Sequence, residues 1–169
     1  MQLSEVMYKR RSVRNFTPEA VSSEDIDTLL KYAMSGPSAC NAMPWEFYVV
    51  KNDELIHKLR KVTSYTNYES PLIIIVAGNK KRALPGNACD FWIQDCSAAI
   101  ENILLGAVDL GLGTCWCGLA PHITAVKRVQ KALGLDEHMI PLGLIHVGRP
   151  AEAPEARTQY DMKRVHILD

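Results

Sequence analysis

Three side chains near the amino terminus have the types and the spacing of an anion-binding site. Arg10, Ser12 and Arg14 alternate along a short segment that ends before Pro18. In an extended chain every second side chain points to the same side, so these three would face one ligand together. A guanidinium offers a planar fork of donors that matches phosphate, and a hydroxyl adds another donor. The segment predicts a phosphate-binding face, although a solvated basic turn would explain the same residues.

A second candidate spans residues 37–45, which follow Gly36 and read Pro-Ser-Ala-Cys-Asn-Ala-Met-Pro-Trp. Small side chains let the backbone approach a flat ligand closely. Ser38 and Asn41 have side chains that can hydrogen-bond the heteroatoms of a ring. The glycine and the two prolines punctuate the chain, so an ordinary helix-to-strand loop explains the segment equally well.

Two further segments contain the glycines and arginines that suit a bound cofactor. Residues 111–118 read Gly-Leu-Gly-Thr-Cys-Trp-Cys-Gly, and glycines let backbone N–H groups face a ligand at close range. The glycines precede a predicted strand, unlike those of a dinucleotide-binding GxGxxG loop, and simple helix termination is the alternative. Near the carboxyl terminus, Arg149 and Arg157 could complete a phosphate site or belong to a surface tail with incidental charge.

Other reaction classes lack their characteristic residues. The five histidines are scattered without HExxH spacing, and the chain contains neither GxSxG nor a Walker A sequence. The five cysteines form no CxxC, so we predict neither a metal site nor a disulfide framework. Asp95 and Glu101 lie six residues apart on a predicted helix and do not share a face well. Ligand-holding segments without an evident acid, base or nucleophile are typical of enzymes whose cofactor carries the reaction.

Composition and charge argue against several classes of partner. The chain of 169 residues is 47% hydrophobic and 22% charged, with a formal net charge of zero. These values predict a single globular domain over residues 1–169 and no nucleic-acid or membrane partner. The amino terminus lacks the pattern of a secretory signal, so we expect a cytoplasmic protein.

Hydrophobic periodicity predicts the helices and strands that position these segments. Ser22 is a predicted helix cap with Asp25 three residues on, and that helix ends at residues 35–37. Further helices are predicted over residues 3–10, 53–62, 90–110 and 124–133, and strands over residues 45–50, 72–77, 114–117 and 140–147. Because these elements follow no regular βαβ repeat, we expect an α+β fold around a sheet.

The long helix and the tail bear on the oligomeric state. The helix over residues 90–110 is apolar on almost all sides, so it requires cover from most directions. A partner subunit is a natural source of that cover in a small chain, and a fully internal helix is the alternative. The tail over residues 149–169 is polar and irregular, so we expect it either to be disordered or to wrap a neighbouring subunit.

In their order and spacing, the four segments resemble the nitroreductase family of flavoproteins over nearly the whole chain. Residues 10–16 are similar to the family's opening flavin-binding stretch, and residues 37–47 to its Pro-Ser-x-x-Asn-x-Gln-Pro-Trp signature. The long helix with residues 111–116, and the closing residues 148–150, correspond in kind and position. Two residues depart from the family pattern: Met43 stands where Gln is common, and Glu155 stands where some members carry a basic residue.

The resemblance implies a fold and a set of cofactor contacts. It implies an intertwined homodimer with a mostly antiparallel sheet flanked by helices, and FMN at the subunit interface. Arg10 and Ser12 would hold the phosphate and ribityl chain, with Arg149 or Arg157 completing the phosphate site. Arg14 would lie beside the pyrimidine edge of the flavin, where a cation stabilises the reduced ring. The tail over residues 149–169 would wrap the partner subunit.

The remaining implied contacts surround the flavin ring. Residues Ser38, Ala39 and Asn41 would come from the other subunit, and the backbone N–H groups of Cys117 and Gly118 would face N5. The full set of cofactor-binding residues is then Arg10, Arg11, Ser12, Arg14, Pro37, Ser38, Ala39, Asn41, Cys117, Gly118, Arg149 and Arg157. No protein residue is assigned a catalytic role, and no metal is implied.

The resemblance also implies a reaction. Hydride would pass from NADH or NADPH to N5 of FMN, and then to a nitroaromatic, quinone or similar small-molecule acceptor in ping-pong turnover. A non-reductive flavoprotein, either an FMN carrier or an oxygen-reactive enzyme, is the first alternative. A small dimeric binding protein without flavin is the second.

Overall fold

The computed structural model describes residues 1–152 and 154–168. The helices formed by these residues are α1 (Leu3–Lys9), α2 (Ser23–Met34), α3 (Asp53–Arg60), α4 (Phe91–Asp109) and α5 (Ile123–Leu133). The strands are β1 (Trp45–Val50), β2 (Leu72–Asn79), β3 (Gly113–Gly118) and β4 (Met139–Gly148). Each corresponds to a predicted element, with ends that differ by up to two residues.

The strands form one antiparallel sheet in the order β1-β2-β4-β3. Every residue of β2 is buried, because the strand is central and is covered on both faces. A strand of this kind is apolar at consecutive positions instead of alternating, which is the pattern seen in residues 72–77. The α+β class and the mostly antiparallel sheet predicted from the sequence are confirmed.

Helices cover the sheet on both faces and form two separate apolar clusters. Ile74 and Val76 of β2 pack in a cluster with α2 and α4. Ile73 and Ile75 point the other way and pack with α3 and α5. Since side chains alternate along a strand, a single apolar strand supplies the centre of both clusters.

The helix ends follow local chemistry. The Ser22 hydroxyl accepts a hydrogen bond from the Asp25 N–H at 3.0 Å, as the predicted cap requires. The α5 helix stops at Gly134, which adopts a left-handed conformation at φ 64°. The α3 helix ends at Arg60, two residues before the predicted end. There the Val62 carbonyl accepts instead from the Arg128 guanidinium at 2.7 Å.

The long helix α4 obtains most of its cover from its own chain. Ala99, Ile100 and Ile103 are fully buried against the sheet and α2. Exposed apolar side chains of α4 lie at its first turn, where Phe91 is 42% and Ile93 is 40% exposed. A fully internal helix, the alternative to cover by a partner subunit, therefore accounts for the middle of α4, and its exposed large apolar side chains lie in the first turn.

The tail leaves the packed domain after β4. Its described residues from 154 to 168 are all exposed, including apolar Tyr160, Met162 and Ile167. One backbone bond ties it back, from the Arg157 N–H to the Tyr8 carbonyl at 3.2 Å. Among the described residues, none of the helices has the length and apolar character needed to cross a membrane.

Candidate functional site

The segment with the alternating arginines lies as an extended strip along the outer edge of β3. Ser12 forms a parallel bridge with Thr114, and the Val13 N–H donates to the Thr114 carbonyl at 2.8 Å. Val13 is buried against Gly113, where a Cβ would lie 2.7 Å from the valine side chain. With Val13 pointing inward, Ser12 and Arg14 on either side of it are exposed. The extended conformation predicted from their spacing is confirmed.

Arg11 does not share the surroundings of its neighbours. Its guanidinium donates to the Glu155 carbonyl of the tail at 2.7 Å. Arg11 also lines a cleft with Val13, Leu112 and Pro150. The structure therefore places Arg11 against the tail, where it secures the chain.

Arg10 shares a cleft with Arg157. The cleft has a volume of about 220 Å³ and is also lined by Met7, Tyr8, Thr158 and Gln159. The Arg157 N–H bond to Tyr8 brings the tail to this place. Two arginines and a threonine that line one cleft have the donor types that suit a phosphate group.

Arg149 lies elsewhere. Its Nε is 3.0 Å from a Glu19 carboxylate oxygen, and its carbonyl accepts from the Thr17 N–H at 2.9 Å. Sequence spacing left Arg149 and Arg157 as equal candidates for one site. In the folded chain only Arg157 lines the cleft that contains Arg10.

A carboxylate beside Arg10 was not foreseen as part of the site. Glu101 on α4 lies 3.7 Å from the Arg10 Nε, and both side chains are partly exposed. An exposed pair of this kind contributes little stability, but it restricts where the guanidinium points. Glu101 had been considered only as half of a carboxylate pair with Asp95.

Arg14 is held differently from Arg10. Its guanidinium lies over the ring of Tyr68, with Cζ 6.0 Å from the ring centroid. Tyr68 in turn meets the buried His146 in an edge-to-face arrangement at 5.6 Å. Neither aromatic residue was singled out by the sequence, because both lie far from residues 10–14 along the chain.

The open edge of β3 presents backbone groups beyond Thr114. Backbone N–H and C=O groups point to alternate sides along a strand. The backbone groups of Thr114 face the segment from Arg10 to Arg14. Gly118 lies four residues further along the strand, so its N–H and C=O groups point to the same open side. A Cβ at Gly118 would meet nothing within 4 Å.

The same alternation turns the backbone of Cys117 towards β4. Leu119, two residues on, donates its N–H to the Leu142 carbonyl at 2.8 Å, and Cys117 pairs with Leu144. The Cys117 side chain is buried, and its thiol donates to the Tyr65 carbonyl at 3.1 Å. Of the two backbone donors predicted from the sequence, the structure places only that of Gly118 on the open edge.

The segment from Pro37 to Pro44 is a loop with an unusual backbone. Cys40, Asn41 and Met43 have φ values of 49°, 54° and 46°. Left-handed conformations are costly for residues other than glycine, so surrounding contacts must hold them. Strain of this kind gathers at ligand sites, which supports the prediction that the loop contacts a ligand.

Besides its backbone–backbone bonds, this loop has two hydrogen bonds to side chains. The Ala39 N–H donates to the buried Asp95 carboxylate on α4 at 2.8 Å. The Met43 N–H donates to the Ser38 hydroxyl at 3.0 Å. Asp95 precedes Glu101 by six residues, about 9 Å along the axis of a helix. Within one chain, therefore, the loop and Arg10 meet α4 at separate places.

Comparison with known proteins assigns the family. The nitroreductase family model matches residues 7–67 and 61–149, which span most of the chain. A relative from Methanothermobacter thermautotrophicus, provisionally named an NADH dehydrogenase/NAD(P)H nitroreductase, is 39% identical over 99% of this chain and 87% of its own length. The chain belongs to the nitroreductase family.

Solved structures agree with this assignment. A crystal structure from Clostridium acetobutylicum, provisionally named an NADH oxidase, is 36% identical with a TM-score of 0.91, covering 97% of this chain and 99% of its own. A provisionally named nitroreductase from Desulfovibrio desulfuricans, crystallised in complex with FMN, is 26% identical with a TM-score of 0.85. That alignment covers 100% of this chain and 98% of the other.

Proposed function

We propose that this protein transfers a hydride from NADH or NADPH through FMN to a small acceptor such as a nitroaromatic or a quinone, in ping-pong turnover. It is an FMN-dependent NAD(P)H oxidoreductase of the nitroreductase family, a class supported by the family match and by relatives with those names. The acceptor and the order of steps are the proposed part.

The donor set of the strip along β3 fits FMN, and this fit is the observation that carries the proposal. The cleft between Arg10 and Arg157 suits a dianionic phosphate. From there Ser12, Arg14 and the Gly118 N–H follow the same edge, and the space at Gly118 accepts a flat group. FMN consists of a phosphate, a polyol chain and a ring in this order, which is the order in which the donors lie along the strip.

Each residue then has a defined task. Arg10 and Arg157 bind the phosphate, while the Ser12 hydroxyl bonds the phosphate or the ribityl chain. Arg14 places a positive charge at the pyrimidine edge, where negative charge develops on reduction. The Gly118 N–H would face the reactive edge near N5, and FMN, when bound, would supply the hydride-transfer chemistry between NAD(P)H and the acceptor. No side chain is required to act as an acid or a base.

We also propose that the working unit is a homodimer of chains in which residues 1–169 form one FMN-binding domain. Ser38, Ala39 and Asn41 would cover the ring from the partner subunit, because their loop lies apart from Arg10 within one chain. The tail would wrap the partner, which would cover side chains such as Tyr160, Met162 and Ile167. Removing apolar surface of this kind from water favours association.

An anaerobic absorption experiment tests the function. Purified protein loaded with FMN is mixed under nitrogen with NADH or with NADPH, and the flavin band is followed. Bleaching by either nucleotide, followed by return of the band when a quinone is added, is the expected result. A band that neither nucleotide bleaches would contradict the reductase and favour an FMN carrier. Failure to take up FMN would remove the flavin site itself.

Steady-state kinetics test the order of steps. If both substrates use one site in turn, double-reciprocal plots at several acceptor concentrations are parallel. Intersecting lines would contradict ping-pong turnover.

A further inference from the structure

Arg14 differs from Arg10 and Arg149 in what holds it. Arg10 faces Glu101 and Arg149 faces Glu19. Over residues 1–152 and 154–168, by contrast, no carboxylate lies within ion-pair distance of Arg14. Its guanidinium meets the face of Tyr68 instead. A cation over an aromatic face is attracted by the electron density of the ring.

The ring beneath Arg14 is itself fixed. Tyr68 meets His146 of β4 at an interplanar angle of 84° and a centroid distance of 5.6 Å. Edge-to-face packing is a favoured geometry for aromatic pairs. His146 has no exposed surface, so the sheet sets the position of the tyrosine ring.

Both nitrogens of His146 have hydrogen-bond partners, which fixes the orientation of the ring. Nε2 lies 3.1 Å from the Thr66 carbonyl, which can only accept, so Nε2 carries the proton. Nδ1 then accepts from the Ser70 hydroxyl at 2.7 Å. Burial lowers the pKa of His146 to about 4, so the ring stays neutral near pH 7. The His146 ring therefore adds no positive charge beneath Tyr68 near pH 7.

The partners of His146 come from the same short segment as Tyr68. Thr66 is fully buried and closes a turn with Thr63, whose N–H donates to the Thr66 hydroxyl at 3.0 Å. Thr66 and Ser70 thus flank Tyr68 and bind the histidine against which the tyrosine packs. The hydrogen bonds at both ends of the segment from Thr63 to Ser70 thus hold the Tyr68 ring beneath Arg14.

We propose that Tyr68 is a positioning residue, which seats the Arg14 guanidinium at the flavin end of the site through its ring face. The inference rests on the proposed function, since it takes Arg14 to lie at the pyrimidine edge of FMN. No hydrogen bond of the tyrosine hydroxyl occurs among the described residues, so the ring alone accounts for the contact. A phenylalanine would therefore serve, whereas an aliphatic side chain would not.

The first experiment needs no flavin. The {1H}-15N NOE of the Arg14 Nε–H group is measured by NMR on flavin-free protein, for the wild type, Tyr68→Phe and Tyr68→Leu. We expect an ordered Nε–H in the wild type and in Tyr68→Phe, and a mobile one in Tyr68→Leu. Equal order in all three proteins would overturn the proposal, whatever the outcome for FMN.

The second experiment measures the consequence in the holoprotein. FMN midpoint potentials are determined for the wild type, Tyr68→Phe, Tyr68→Leu, Arg14→Ala and the double variant Tyr68→Leu/Arg14→Ala. Tyr68→Leu is expected to reduce the preference for reduced over oxidised FMN by about two- to fivefold. At about 30 mV per tenfold for a two-electron couple, that is a fall of roughly 10–20 mV. Tyr68→Phe should match the wild type.

The double variant separates positioning from general structure. If Tyr68 acts through Arg14, Tyr68→Leu changes nothing further once Arg14 is alanine. An equal shift in both backgrounds would overturn the proposal, because the ring would then act without the arginine. If Arg14→Ala alone leaves the potential unchanged, the placement of Arg14 in the proposed function fails, and the NMR result still decides whether Tyr68 seats it.

Discussion

The two ends of the candidate site are built in different ways. At the ring end, Arg14 lies on Tyr68, which packs on His146 in the fully buried part of β4. At the phosphate end, Arg10 meets Arg157, which belongs to an exposed tail joined to α1 by one backbone bond. The ring end is therefore an extension of the core, whereas the phosphate end is assembled from surface segments.

This difference suggests how the site responds to change. Packed side chains keep one arrangement because neighbours on all sides restrict them. A surface segment keeps its place only while a few contacts, or a partner subunit, hold it. We therefore expect the phosphate end to be lost when the tail is removed, and the Arg14 guanidinium at the ring end to be displaced only when the core beneath it is disturbed.

Deleting residues 154–169 should have the largest effect. The deletion removes Arg157 and the exposed apolar side chains that we assign to the dimer. We expect FMN affinity to fall by at least about a hundredfold, because a charge-assisted contact and the interface are lost together. Fluorescence titration and light scattering measure affinity and oligomeric state. As the control, deleting residues 168–169 leaves Arg157, Tyr160, Met162 and Ile167 in place. A truncated protein that stays dimeric and yellow would show that the tail serves neither end.

Acid should weaken the ring end through His146. The folded-state pKa of about 4 lies below the ordinary value of 6.5, so the unfolded chain binds a proton in this range and the folded chain does not. The contribution of the neutral His146 to the free energy of unfolding is complete above pH 6.5 and is lost as the pH falls towards 4. Its size is about 3 kcal/mol in the free energy of unfolding.

Urea unfolding at several pH values tests this. The free energy of unfolding is plotted against pH between 6.5 and 4, and the slope for the wild type is compared with the slope for His146→Gln. In this variant the amide can still donate to the Thr66 carbonyl. A smaller slope in the variant is expected. Identical slopes would mean that His146 takes up its proton without disturbing the core.

Arginine replacements should separate the phosphate end from the rest of the surface. Arg10→Ala and Arg157→Ala should each weaken FMN binding by about 10- to 150-fold, the value of one charge-assisted contact. Arg149→Ala is the matched control, because its guanidinium pairs with Glu19 outside the cleft. Fluorescence titration gives the three dissociation constants. A large loss for Arg149 and none for Arg157 would reverse our assignment.

The smallest change is a single methyl group at the open edge of β3. Gly118→Ala should alter the free energy of unfolding by less than about 0.5 kcal/mol, because a Cβ there meets nothing within 4 Å. The same methyl group would stand where we place the flavin, so FMN affinity should fall. Thermal unfolding of the flavin-free protein and FMN titration measure the two effects. Unchanged FMN affinity would move the ring away from Gly118.

Much of the fold could be predicted from local patterns. The apolar run at residues 72–77 marked the central strand, and Ser22 marked the start of a helix. These signals act over a few neighbouring residues, so they can be read without knowing the rest of the structure. The alternation of Arg10, Ser12 and Arg14 belongs to the same class of signal, and the extended strip confirmed it.

The contacts between distant segments could not be read in this way. Only the pairing of the strip with Thr114, and of Leu119 with Leu142, shows that Gly118 and not Cys117 faces the open edge. A shift of one residue in a strand turns every backbone group to the other side, and the sequence near Cys117 does not reveal the register.

The sequence by itself determined which residue types the site would contain and that a cofactor would carry the reaction. Only the tertiary structure decided which of them meet: Arg157 and not Arg149 beside Arg10, and Tyr68 with His146 beneath Arg14. The physical reason is the range of the interactions. Propensity, capping and side-chain alternation are properties of neighbours along the chain, whereas a binding site depends on which segments the folded sheet and its helices bring within a few ångströms of each other.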